Sequence, residues 1–261
     1  MKGFFRIKFR ILLIVYIYFL SGCDSYEIPI DDRPLDKILN QYVQDGIYPF
    51  LYVRLEDRNG KVIYEHSSVN QDILPGKSID GQTLIRIWSM SKIVTISLVM
   101  DLIEDKILDL DEPVTKYIPE FSDLKVATDD SGVSLTLVDS MKKVCPYELE
   151  PVNTVMTLRH LINHEAGFYY ATTKIECINS EMAKWNLPLA ENSDDLINKF
   201  ASLPLIQHPG ESDYYGTNTT ILGLVAERAT GINLKELIKA LDEFENMQGF
   251  LEHISLIMEM E

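Results

Sequence analysis

The sequence predicts an α+β fold, and three observations carry that reading. Asn59-Gly60 sits between two β-rich runs, FLYVRLED and KVIYEHSS, which is a strong hairpin signal. The span from Gln82 to Glu112 holds no Gly or Pro and is crowded with aliphatic residues, the pattern of a buried helix. Two further stretches, 35–43 and 234–241, space their apolar residues as helices do. Hydrophobic residues make up 46% of the chain, enough for a sizeable core, and no low-complexity tract or solenoid repeat interrupts it.

The elements follow in chain order. Residues 1–22 read as an export signal: Lys2, Arg6, Lys8 and Arg10 precede the apolar run ILLIVYIYFL. Ten residues rise only about 15 Å as a helix, half a bilayer. The run ends in LSGC, which resembles a bacterial lipobox and implies cleavage before Cys23 and a lipid on its sulfur. An ordinary signal peptide or a short anchor is the alternative. Residues 23–34 are a polar tether. Leu35, Ile38, Leu39, Tyr42 and Val43 then form an amphipathic helix, with Pro34 in its first turn and Gly46 past its end. The hairpin comes next, then a long helix containing Ile93, Val94, Ile96, Leu98, Val99, Leu102 and Ile103, expected to be apolar nearly all round and buried.

Charge excludes one class of function. The formal net charge is −16, and removing residues 1–22 takes away four positive charges and no negative ones, leaving −20. Such a surface repels phosphate backbones, so no nucleic-acid partner is expected. It gives no help at an anionic membrane either, which leaves a lipid on Cys23 as the membrane attachment. With Cys23 lipidated, Cys145 and Cys177 remain, either as a disulfide in an oxidising compartment or as two buried thiols. His160 and His164 lack the glutamate of an HExxH site, since position 161 is Leu, and no other spacing suggests a metal or cofactor.

Three Ser-x-x-Lys tetrads occur: Ser89/Lys92, Ser122/Lys125 and Ser140/Lys143. Chance alone supplies about one in a chain of this composition, so the tetrad needs context. Only Ser89 sits at the start of a long buried helix. There Lys92, three residues on, shares its face. Free N–H groups and the positive dipole end favour negative charge developing at the serine. Burial lowers a lysine pKa and makes the amine a base. The counter-reading is an N-cap serine beside a solvent-facing lysine; these residues alone leave both open.

The flanking sequence adds a resemblance. IRIWSMSK, then DKILDLDEPVTKYIPEF, TLRHLINHEAGF and HPGESDYYGTNTTILGLVAERATG, resembles in order and spacing the serine hydrolase family of class C β-lactamases, penicillin-binding proteins and their esterase relatives. It covers roughly residues 36–232. The resemblance implies a β-lactamase/DD-peptidase-like fold, with a helical subdomain beside an antiparallel sheet flanked by helices. It implies Ser89 as the acylated nucleophile, Lys92 as its partner, and Tyr215 as the residue that exchanges protons with nucleophile and leaving group. Tyr214 is the rival for that last role, and a hydrogen-bonded aromatic without chemistry is the bland reading of Tyr215. His164 and Gly167 match a structural stretch, read here as a helix end turned by Gly167.

Departures accompany the match. The Asn of a Tyr-x-Asn motif stands one place late, as Asn218, and the loop from Leu124 to Val155 is long. Family members continue well past this point, into strands that carry a Lys-Thr-Gly or His-x-Gly motif and an oxyanion-hole donor. After Gly231 this chain has only NLKELIKALDEFENMQGFLEHISLIMEME, without such a motif. The expected organisation is therefore an incomplete β-lactamase-like domain, 35–232, lacking the C-terminal strands, followed by an atypical helical tail, 233–261. Marginal stability and impaired activity are expected with it, since one missing oxyanion donor costs about 10²–10³ in rate. The expected function is acyl-enzyme formation at Ser89 on an ester, β-lactam or D-Ala-type amide, a small-molecule or peptidoglycan-like substrate. The alternative is a non-catalytic, lipid-anchored remnant in the cell envelope that binds a muropeptide or protein partner. Nothing in the sequence speaks to oligomeric state.

Overall fold

The structure, a computed structural model, describes residues 33–138 and 144–242. The export signal, Cys23, the Ser140/Lys143 tetrad and the last 19 residues of the tail (243–261) lie outside the described residues. The chain divides into two compact units, Met1–Thr83 and Leu84–Glu261.

In the first unit, helix α1 (Arg33–Gln44) precedes the strands β1 (Phe50–Glu56) and β2 (Val62–Val69). The strands pair antiparallel, with Phe50 opposite Val69 and Leu55 opposite Tyr64. The hairpin stands where Asn59-Gly60 puts it, but its turn is longer than the two-residue Asn-Gly type. The Asp57 carboxylate accepts the N–H groups of Asn59 and Lys61, and the left-handed position falls on Gly60, φ +79°. Tyr64 donates its hydroxyl proton to Asp36 at 2.7 Å, which ties β2 to α1. Among the described residues no third strand joins this sheet, so both edges stay open.

The second unit is mainly helical: α2 (Ser91–Glu104), α3 (Leu158–Ile162), α4 (Glu176–Trp185), α5 (Ser193–Ala201), α6 (Asn218–Thr230) and α7 (Leu234–Asp242). Strands β3 (Lys125–Thr128) and β4 (Glu148–Pro151) form a short antiparallel pair. Helix α6 is the axis of the core. Its Ile221, Leu222, Val225 and Ala226 are fully buried, and it packs against α2, α3, α5 and α7. Asn233 caps α7 by accepting the Glu236 N–H at 3.0 Å, and Leu237, Ile238 and Leu241 turn inward, as the helical spacing predicts.

Helix α2 differs from its expectation. It begins at Ser91 and ends at Glu104, where Lys106 turns the chain at φ +60°. It buries one side, through Val94, Leu98, Val99 and Leu102, whereas Ile93 and Met100 are 58% and 44% exposed. The reason is that the helices packed on it, α6 and α7, cover one face of a helix whose apolar residues run round both. Gly167 also differs. Helix α3 ends at Ile162 and the left-handed turn falls on His164, φ +61°. Gly167, φ +91°, instead permits close approach: a Cβ there would meet the Gln207 carbonyl oxygen at 2.5 Å.

Cys145 and Cys177 form a disulfide, Cα–Cα 6.0 Å, which resolves the alternative that the sequence leaves open. It closes a segment with a sequence separation of 32 residues that carries β4, α3 and His164. Replacing both cysteines by alanine should lower stability by about 2–5 kcal/mol, read from urea unfolding. Leu222→Ala, which empties part of the α6 core, should cost a similar ~2–5 kcal/mol. A loss under about 1 kcal/mol for Leu222→Ala would show that α6 is not the packing axis.

Candidate active site

A short 3-10 turn, Trp88–Met90, leads into α2 and carries Ser89. Trp88 adopts φ +49°, a left-handed conformation that is strained for a bulky residue. Two bonds hold the kink: the Ser91 hydroxyl donates to the Trp88 carbonyl at 2.6 Å, and the Met90 N–H to the Ile87 carbonyl at 3.0 Å. Ser89 thus sits immediately ahead of the helix rather than within it. Lys92 lies one turn on, and its Nζ donates to Ser89 Oγ at 3.2 Å. The i, i+3 spacing produces that contact directly.

Tyrosines complete the cluster. Lys92 Nζ stands 4.9 Å from the centroid of the Tyr215 ring and 5.6 Å from that of Tyr170. Tyr215 is half exposed. Tyr214 instead packs against the hydrophobic core, so of the two neighbours Tyr215 is the one at Lys92. Two contacts fix this loop. The Tyr214 N–H donates to the His164 carbonyl at 2.8 Å. Gly216 lies so close to α3's following loop that a Cβ would fall 2.1 Å from the Phe168 carbonyl oxygen.

The electrostatics correct one expectation. Burial does push the Lys92 amine down, but hydrogen bonds to Tyr215 and Tyr170 outweigh it, and the pKa ends above the ordinary lysine value. A lysine held above its ordinary value keeps its proton near neutral pH, which favours the ammonium form. The complementary effect falls on Tyr215. Hydrogen bonds from the Ser89 hydroxyl and the Lys92 ammonium hold its phenol below the ordinary tyrosine value. A positively charged lysine between Ser89 and a phenol made more acidic can shuttle the serine proton through Tyr215.

The structure places Ser89, Lys92 and Tyr215, the three residues that the sequence singles out, beside one another. Sequence reasoning misses two neighbours, Tyr170 and His164. The His164 ring lies 5.0 Å from that of Tyr215, and Tyr170 lies 5.9 Å from it on centroids. Both belong to HEAGFYY, which carries no signal of chemistry by itself. Ser122 and Lys125, the second tetrad, lie on different elements, a 3-10 turn and β3. Beside Ser89 opens a cleft of about 580 Å³, whose walls include Trp88, Thr95, Tyr170, Leu196, Leu224 and Leu234. Thr219 also lines it, with a buried hydroxyl that has no partner among the described residues. The second unit holds this whole cluster.

Comparison with known proteins agrees in family. The Beta-lactamase family model matches residues 53–241. The acyltransferase calJ of Penicillium decumbens is 29% identical over 223 residues, covering 81% of this chain and 48% of that protein. The esterase EstB of Burkholderia gladioli is 26% identical over 192 residues, covering 72% and 43% respectively. Among solved structures, unliganded simvastatin synthase (LovD) of Aspergillus terreus superposes with a TM-score of 0.61 at 25% identity, covering 81% of this chain and 50% of that one. The chain thus spans about half the length of the relatives it matches.

A titration checks the electrostatics. The phenolate absorbance of the parent, minus that of Tyr215→Phe, should show a midpoint below 10.0, the ordinary tyrosine value. In a Lys92→Ala background the same difference should move up, because the ammonium that favours the phenolate is gone. Equal midpoints in both backgrounds would contradict the pairing.

Proposed function

Because the chain belongs to the β-lactamase family, we propose that it catalyses acyl transfer through an acyl-enzyme at Ser89. The observation that carries this is the Lys92 ammonium, 3.2 Å from Ser89 Oγ and 4.9 Å from the Tyr215 ring centroid. Tyr215, as phenolate, accepts the Ser89 proton while Oγ attacks the carbonyl carbon of the substrate. The carbonyl π electrons move to oxygen, giving a tetrahedral anion beside the positive end of α2. When the anion collapses, the bond to the leaving group breaks, and Tyr215 returns the proton to the departing oxygen or nitrogen. Water or an alcohol then attacks the acyl-serine by the reverse sequence. Lys92 stays charged throughout and stabilises each phenolate state.

An ester is the preferred acyl donor, with β-lactams and D-Ala-type amides behind it. Two observations support that order. The cleft beside Ser89 has apolar walls from Leu196, Leu224 and Leu234, suited to an acyl chain. The relatives are named as acyltransferases and an esterase. The reading extends to location: export, with a lipid on Cys23. The Cys145–Cys177 disulfide supports it, because such bonds persist in oxidising compartments.

Intact mass after exposure to a fluorophosphonate tests the proposal. The expected result is one phosphonyl adduct, with fluoride lost, on the parent and none on Ser89→Ala. Tyr215→Phe should slow labelling by about 10²–10⁴-fold, the usual value of a proton-transfer partner. A folded parent that takes no adduct would overturn the proposal and favour a non-catalytic envelope protein that binds a muropeptide or protein partner. Turnover of simple esters against a chromogenic cephalosporin then ranks the substrate classes.

A further inference from the structure

We propose that His164 is a positioning residue, whose neutral ring, with Nδ1 as acceptor, holds the Tyr214–Asn218 segment so that Tyr215 faces Lys92 and Ser89. Three bonds make the case. The His164 carbonyl accepts the Tyr214 N–H at 2.8 Å. Its Nδ1 receives the Gly216 N–H at 3.4 Å and lies 3.1 Å from Asn218 Nδ2. The residues on both sides of Tyr215 are therefore tied to one histidine, and its ring lies 5.0 Å from the Tyr215 ring, tilted by 31°.

The tautomer follows from the donors. Gly216 N–H is a backbone donor whose sense cannot be reversed. The Asn218 amide is oriented by a second bond, from Nδ2 to the Phe168 carbonyl at 3.4 Å. With two N–H groups aimed at Nδ1, that atom must offer its lone pair, and the ring proton sits on Nε2. Protonation would place a third N–H against the two donors, and the arrangement would come apart.

Burial and the Lys92 charge act in the same direction as the bonds. From α2, Lys92 brings a positive charge to the ring. Tyr215 and Tyr170 face the same space, with centroids 5.9 Å apart. Glu165, next in sequence, has a carboxylate oxygen 3.4 Å from Asn163 Nδ2. Burial, and then the Lys92 charge, hold His164 below the ordinary histidine value of 6.5. The sign is that of a base whose charged form the ordered site disfavours. The arrangement is at full strength above the ordinary histidine value and is lost as pH falls through the depressed one. The left-handed backbone at His164, φ +61°, sets the ring under the loop.

The test has two measurements on the full chain, and only the second rests on the acyl-enzyme reading. The first is a nitrogen-detected NMR titration of the parent histidines, with His164 assigned by its loss in His164→Asn. Asn is chosen because it keeps an acceptor oxygen, does not titrate and tolerates a left-handed backbone. The expected result is a neutral His164 protonated on Nε2, a midpoint below 6.5, and Gly216 and Asn218 amide shifts that move with it. A proton on Nδ1, a midpoint at or above 6.5, or amides indifferent to the titration would overturn the proposal.

The second measurement is the pH profile of the fluorophosphonate labelling rate. Protonation of Tyr215 gives both proteins one acid limb; below the His164 midpoint the parent should steepen by about a further tenfold per pH unit, and His164→Asn should keep only the single Tyr215 slope. A steepening that persists in a folded His164→Asn, or a parent with no steepening at its His164 midpoint, would overturn the positioning role. No labelling at any pH would overturn the nucleophile reading, while the NMR titration of the parent still decides His164.

Discussion

A single ammonium group organises the candidate site. Lys92 donates to Ser89 and lies against the rings of Tyr215 and Tyr170, and each neighbour depends on its charge. The Ser89 hydroxyl and then the Lys92 ammonium lower the Tyr215 phenol; burial and then the same charge disfavour protonation of His164. Those two effects keep one group ready to lose a proton and its neighbour unwilling to gain one. Burial opposes the charge, and the tyrosine oxygens offset that opposition. Removing any of the rings therefore changes the state of the others, as expected where polar groups share one network.

The rest of the second unit serves to hold that ammonium in register. Helix α2 supplies Ser89 and Lys92, and its buried face of Val94, Leu98, Val99 and Leu102 anchors it on α6. Helix α6 in turn begins at Asn218, three residues after Tyr215, so one packing contact sets both halves of the site. The loop between α3 and α4 closes the third side. There Gly216 and the Phe168 carbonyl approach too closely for any other residue at 216. Trp88, just ahead of the serine, is one of the left-handed non-glycine residues, and its backbone turns Ser89 out of the helix. The disulfide at Cys145 and Cys177 restrains the segment that carries His164.

Much of this was legible in the sequence because periodicity and turn chemistry are local. The hairpin, the α1 and α7 helices and the position of Ser89 follow from Asn59-Gly60, apolar spacing and a Gly-free span. The tetrad alone could not be ranked against two others, and the flanking motifs decided it. What stayed hidden depends on pieces far apart in the chain. The state of Lys92 is set by Tyr170 and Tyr215, 78 and 123 residues away, and burial by itself predicts the wrong sign. The sequence points to Gly167 for the turn that His164 makes, because glycine is the usual left-handed residue. In the structure Gly167 serves a close contact with Gln207 and the histidine takes the turn. The half-covered face of α2 is not legible in the sequence, because the helices that cover it, α6 and α7, lie far along the chain.

The most direct test of the account is the ionisation of Lys92 itself, followed by NMR of lysine side chains against pH and assigned with Lys92→Ala. The account predicts a midpoint above 10.5, the ordinary lysine value, falling when Tyr215 is replaced by Phe. A Lys92 that titrates below that value, as a desolvated base would, would contradict it and return the proton-transfer role to the amine.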